Sequence, residues 1–217
     1  MAKETRKELN NMTIYQVYVR NHGPNGTFAD VQADLDRIQA MHVDVVYFMP
    51  IHPIGQLNKK GSLGCPYSIK DFRAVNPEYG TEDDFRTLVD DIHARGMKVM
   101  IDVVYNHTAH DAIYIDEHPE WYNVDEDGKP FTTVPAWSDI IDLRHPNEEL
   151  WTYLIGSLTY WVGMGVDGFR CDVASLLPIE FWRRAREACA DVNSDTMWLT
   201  ESVHANFVRE RRRENLF

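Results

Sequence analysis

The sequence predicts an α/β chain built of parallel βαβ units, and three observations predict it. Apolar runs suited to strands alternate five times with stretches of helical spacing, strand before helix each time. The links from helix back to strand are at most a few residues long. The two long irregular stretches, 50–79 and 108–145, both leave the C-terminal end of a strand. Parallel α/β sheets, closed into a barrel or left open and doubly wound, carry their functional groups on that edge.

The first strand, TIYQVYVR over 13–20, is rich in β-branched and aromatic residues. Thr27 and Asp30 form a capping box, and Val31, Leu35, Ile38 and Met41 repeat at helical spacing, so 28–41 reads as one amphipathic helix. VDVVYFM, 43–49, is a strand buried on both faces. Thr81 and Asp84 open a second helix, with core face Phe85, Leu88, Val89 and Ile92 and a stop at Gly96. The third strand is MKVMIDVVY, 97–105. Pro146 suits the first turn of a third helix, whose inner face is Trp151, Leu154, Ile155, Leu158, Trp161 and Val162. GVDGFRCDVAS, 165–175, carries the fourth strand. A fourth helix follows from Pro178 to Ala190, Met197 to Thr200 is the fifth strand, and 203–217 begins a fifth helix.

Composition narrows the functional classes. With 22 basic and 34 acidic residues the net charge is −12, which excludes nucleic acid or an anionic membrane as the main partner. Three cysteines without a CxxC spacing indicate neither a disulfide framework nor a zinc ribbon. The N-terminal residues lack an apolar signal core, and no apolar run is long enough to span a membrane. The expectation is a cytoplasmic protein. No GxGxxG or GKS/T follows a strand, so nothing marks a nucleotide-phosphate cradle. His107 and His110 stand three apart without an HExxH pattern, which argues against zinc. Trp121, Tyr122, Phe131 and Trp137 in 108–145 suit either that segment's own small core or stacking on a sugar.

The strand tips gather the chemistry. Arg170 and Asp172 lie two apart, so strand geometry points both to one face, where the guanidinium would hold the acid ionised. The same pair serves equally well as a structural ion pair. Asp102, Asn106 and His107 follow the third strand and Glu201 the fifth. Adjacent strands are roughly 4.8 Å apart, so Asp172 and Glu201 could hold their carboxyls about 5 to 5.5 Å apart, the separation of retaining glycoside hydrolysis. Glu201, flanked by Trp198 and Leu199, is the candidate for the carboxyl kept protonated.

DVVYNH (102–107), GFRCDVAS (168–175) and WLTES (198–202), in that order, together with PYSIKDFRAVNPEYGT (66–81), resemble the signature segments of the α-amylase family, glycoside hydrolase family 13. The resemblance runs from about Ile14 to Ser202. It implies a partial (β/α)8 TIM barrel of strands one to five, with a short inserted domain after strand three. Residues 1–107 would be the first barrel part, 108–145 the inserted domain, and 146–217 the second part, stopping before strands six to eight. It further implies a retaining enzyme acting on α-glucosidic bonds of α-glucans or malto-oligosaccharides, with a transglycosylase of the same family or an inactive, sugar-binding homologue as the alternatives. Asp172 would be the nucleophile, Glu201 the acid/base, Arg170 the orienter of Asp172, His107 a donor to the sugar and Tyr67 its stacking platform. Asp102 would be the structural acid and Asn106 a calcium-site or network residue. Ser175 and Leu176 stand where the family has Lys-His, and its Asn-His-Asp segment has no counterpart. The expectation is therefore a fragment, poorly active by itself unless another polypeptide completes the barrel, with calcium the one cofactor to test.

Overall fold

The computed structural model describes residues 7–202 and 204–213. Five parallel strands form one sheet in the order β1 (Ile14–Val17), β2 (Val45–Phe48), β3 (Lys98–Val103), β6 (Gly168–Cys171) and β7 (Met197–Thr200). Between β3 and β6 the chain adds a separate antiparallel pair, β4 (His107–Ala109) with β5 (Ile140–Asp142). The helices are α1 (Phe28–Ala33), α2 (Leu35–Ala40), α3 (Glu82–Ala94), α4 (Glu148–Gly163), α5 (Ile179–Val192) and α6 (Ala205–Arg213). The α/β fold with its parallel sheet is thus the partial barrel architecture that the sequence predicts. Among the described residues no helix is long and apolar enough to cross a membrane.

Both capping boxes form, Thr27 with Asp30 and Thr81 with Asp84. Three details differ from the sequence reading. The helix expected over 28–41 is two short helices meeting at Asp34, because its carboxylate is drawn to Arg37 (2.6 Å) and His22 (3.0 Å). Side chains of this type compete with regular helical bonding. Pro146 does not enter α4; Asn147 caps that helix, its side chain accepting from the Leu150 N–H at 3.1 Å. The β4–β5 ladder lies in a segment with no readable period, since strands of three residues are too short to show one. The reading of a helix over 203–217 falls partly on Val203 and 214–217, outside the described residues; 205–213 are helical.

Strand alternation sorts the sheet into an outer and an inner face. Val99, Ile101, Val103, Phe169 and Cys171 join the large core shared with Phe28, Leu35, Phe85, Leu88, Leu154, Leu158 and Trp161 from the helices. On the inner face a smaller apolar layer, Val45, Tyr47, Met100 and Met197, is covered by Leu9 and Met12. One pleat further toward the C-terminal ends the layer turns ionic, with Asp102 in register with Arg170 and Arg170 with Leu199. The long connections after β2 and β3 rise from that same end. They are fastened together by Ala109 N–H to Ile69 O (2.8 Å) and by Lys70 with Asp111 (3.1 Å).

Gly168 sits on the inner face opposite Met197 of β7. An added Cβ would lie 2.8 Å from both the Cβ and the carbonyl oxygen of Met197. Removing a glycine's freedom normally stabilises, but here the clash decides. Gly168→Ala is expected to lower unfolding stability by about 1–3 kcal/mol, read from the midpoint of urea denaturation; an unchanged midpoint would contradict this packing.

Candidate active site

Asp102 is the buried foundation of the rim. It is fully shielded from solvent and accepts hydrogen bonds from three segments: the Tyr47 hydroxyl on β2, the Tyr67 hydroxyl in the loop after β2 (3.0 Å), and Arg170 Nη1 on β6 (3.1 and 3.0 Å to the two oxygens). A buried carboxylate survives only when it is so supplied. Arg170 then reaches outward. Nη1 also donates to Asp172 Oδ1 at 2.7 Å, while Nη2 lies 2.8 Å from Glu201 Oε1. One guanidinium therefore serves three carboxyl groups.

The backbone fixes the outer two. The Asp172 N–H donates to Val103 O and the Glu201 N–H to Cys171 O, both at 3.0 Å, extending the sheet ladder one residue past each strand. Val173 then adopts a left-handed backbone, φ +36° and ψ +42°. For a β-branched residue this is a strained conformation. It turns the Val173 N–H onto Glu201 Oε2 at 3.0 Å. Both carboxyls are thus held by the one Arg170 guanidinium.

The electrostatics reverse the expected order of the two acids. Burial, and next the neighbouring Asp102, push the Asp172 carboxyl up to about 7. Burial acts in the same sense on Glu201, but the Val173 N–H and Arg170 outweigh it and hold that carboxyl below the usual range. Its side chain is 48% exposed against 10% for Asp172. Arg170 lowers the Asp172 carboxyl, but by less than burial and Asp102 raise it, because the guanidinium is shared with Asp102 and Glu201. Burial likewise raises Asp102 to about 6 and lowers His107 to about 4, so the imidazole is neutral near pH 7.

A cavity of about 410 Å³ opens beside these groups, and its lining includes Tyr67, His107, Arg170, Asp172 and Glu201. Of the residues the sequence singled out, these five come together and Asp102 lies directly beneath. Asn106 stands apart from the lining; its amide nitrogen is 3.3 Å from His107 Nδ1, which suits a His107 proton on Nε2. The sequence reading missed Lys60, Cys65 and Asp139, which line the cavity together with Trp137, and Tyr47 beneath it. Lys60 joins Asp139 at 2.8 Å and Trp137 lies 5.7 Å from the His107 ring, tilted by 52°. Lys60, Cys65 and Asp139 sit in stretches without periodicity, so nothing marked them. Trp137 carried the ambiguous signal of an aromatic in the insertion.

Ca2+ takes six to eight oxygen ligands, backbone carbonyls and waters among them. The side chains here offer the Asn106 amide and Asp142, whose Oδ1 is buried without a hydrogen-bond partner across the ladder from His107. Ser175, in the place of the family's lysine, is occupied with His204 Nδ1 at 2.6 Å. Among the described residues the side-chain group with the spacing of a metal cluster is His118, Glu120 and Glu149, which does not include any residue lining the cavity.

Fold and rim together define an α/β protein with an acidic, aromatic-walled site at the C-terminal ends of parallel strands. The α-amylase catalytic-domain family model matches residues 7–139, and the chain belongs to that family. It is similar to an α-amylase of Lactobacillus plantarum (TM-score 0.90, 48% identity, 96% of this chain and 49% of that one). It is also similar to the maltogenic α-amylase AmyB of Thermotoga neapolitana (TM-score 0.85, 38% identity, 93% and 48%). An α-1,4-glucan:maltose-1-phosphate maltosyltransferase of Rhodospirillum rubrum is 39% identical over 177 residues, 72% of this chain and 26% of that protein. The chain thus spans about half the length of those solved relatives and about a quarter of that transferase.

The raised Asp172 carboxyl makes stability depend on pH. The folded protein holds its proton up to about pH 7, whereas an unfolded chain releases it near pH 4, about the usual carboxylate value. The stability this group lends is complete below about pH 4 and is lost as pH climbs through about 7. Asp172→Asn stays neutral throughout. It should match the wild type in acid and exceed it above neutrality, measured by urea unfolding at both ends of the range; a variant less stable in alkali would contradict the assignment.

Proposed function

We propose that this chain carries the catalytic carboxyl pair of a retaining enzyme acting on α-glucosidic bonds of α-glucans or malto-oligosaccharides. The observation that supports this most is the meeting of Asp172 and Glu201 through Arg170 beside Tyr67 and His107 in one cavity. In the proposed reaction Asp172 attacks the anomeric carbon while Glu201 protonates the departing glycosidic oxygen. Water or a second sugar, deprotonated by Glu201, then displaces Asp172 from the glycosyl-enzyme.

At the moment of attack Asp172 must be charged and Glu201 protonated. Glu201 is ionised because Arg170 and the Val173 N–H face it and because half of its surface is wet. A pyranose ring between the carboxyls would exclude that water and separate Glu201 from Arg170, which raises its proton affinity. Arg170 would keep its 2.7 Å bond to Asp172 and hold the nucleophile charged. The neutral His107 can donate to a sugar hydroxyl, and Tyr67 can stack under the ring. No step passes through calcium. Hydrolysis and transfer use the same first half-reaction, and the maltosyltransferase and α-amylase relatives support both outcomes.

A fluoroglucoside that forms a long-lived glycosyl-enzyme is expected to add its sugar mass to the peptide containing Asp172. Asp172→Asn should abolish labelling, and Glu201→Gln should slow turnover of malto-oligosaccharides by about 10²–10⁴-fold. Binding of acarbose with no labelling and no turnover would favour the sugar-binding homologue. Product analysis with maltose added as acceptor separates hydrolysis from transfer.

A further inference from the structure

Three carboxyls converge on one guanidinium, and the deepest of them needs more than Arg170. Asp102 is fully buried, faced by Tyr47 from β2, Tyr67 from the loop after β2, and Arg170 and Asp172 from β6 and its end. Glu201, past the end of β7, shares the same guanidinium. Tyr67 lines the cavity and its hydroxyl is open to competition from a ligand. Tyr47 is different. Only 7% exposed, it sits in the apolar inner layer with Val45, Met100 and Met197, its one polar atom ends on Asp102 Oδ2, and it borders not the first cavity but a second one of about 310 Å³ shared with Tyr67, Arg170 and Glu201.

We infer that Tyr47 is a positioning residue for the carboxyl pair: by donating its hydroxyl proton to Asp102 it keeps that acid charged and Arg170 drawn toward it. Through them it sets how readily Asp172 ionises. A phenol does here what a second cation would do, without adding charge. Were it absent, Asp102 would have one donor fewer in a fully dry place and would take up a proton more readily. Two consequences point the same way. The negative charge that burdens Asp172 disappears, and Arg170, no longer pulled toward a charged Asp102, is left to Asp172 and Glu201. Asp172 therefore ionises more easily when Tyr47 is silenced, although the two residues do not touch. The sequence hides this role, because VVYF reads as a run of buried apolar side chains.

The inference deepens the proposed function, yet its readout needs no turnover. Carboxyl ¹³C NMR of the chain labelled at aspartate follows Asp102 and Asp172, assigned with Asp102→Asn and Asp172→Asn. In Tyr47→Phe the Asp172 midpoint should fall by about one pH unit and that of Asp102 should rise. Asp102→Asn alone should lower the Asp172 midpoint in the same direction, and Tyr47→Phe added to it should produce no further change. An Asp172 midpoint that stays put or rises in Tyr47→Phe overturns the inference, as does an undiminished effect of Tyr47→Phe in the Asp102→Asn background. Should Tyr47→Phe fail to fold, the Asp102→Asn titration decides, since an unmoved Asp172 there removes the link on which Tyr47 would act. Absence of turnover in the wild type would count against the proposed function and leave this result standing.

Discussion

Everything at the rim depends on Arg170 being shared. Its guanidinium supplies Asp102, Asp172 and Glu201 at 2.7–3.1 Å, so no one of them has it to itself. A single cation among three carboxyl groups leaves an excess of negative charge, in a place where water is largely excluded. Such an excess is relieved by taking up a proton. Burial and hydrogen bonding together decide which acid is raised furthest: Asp102 is the deepest but has three donors, Glu201 is exposed and held low by Val173 N–H and Arg170, and Asp172, sheltered and next to Asp102, rises most. A proton poised between two acids near neutral pH is what acid/base and nucleophilic roles need, provided a ligand can move it.

The fold makes that sharing possible through register. Asp102 and Arg170 are partners across β3 and β6, and the sheet carries them to the inner face one pleat beyond Met100 and Gly168. A shift of one residue would send both into the helix-covered core. The absence of a side chain at Gly168 lets β7 approach, which brings Glu201 to the tip beside Asp172. Packing at the bottom of the sheet thus sets the geometry of charges at its top.

Much of this was legible in the sequence, for identifiable reasons. The five strands showed because Val45–Phe48 and Lys98–Val103 are continuous buried runs, and α1 and α3 because their capping boxes are local. Arg170, Asp172 and Glu201 stood out as charges at the ends of apolar runs. What was hidden depended on partners distant in sequence. Asp34 breaks a helix by way of His22 and Arg37, one of them twelve residues back. Lys60 meets Asp139 only once the two excursions are fastened together. The rise of the Asp172 carboxyl was hidden because the pair Arg170–Asp172 was weighed in isolation, whereas Asp102, sixty-eight residues before Arg170, is the guanidinium's other claimant.

The rim is also where the structure departs most from what stability alone would favour. It holds a fully buried acid, a second acid raised toward neutrality, and a β-branched residue in a left-handed conformation. Each costs free energy of the order of 1–3 kcal/mol, and all three stand above the apolar layers rather than within them. Such features persist where the surroundings over-determine them. Here the ladder bonds of Asp172 and Glu201, at 3.0 Å each, fix the backbone on both sides of Val173, and the strained peptide N–H is aimed at Glu201. Relaxing Val173 would release the one backbone donor that holds Glu201 opposite Asp172. The strain and the carboxyl pair therefore stand or fall together, and that coupling argues that the rim is built for chemistry rather than for packing.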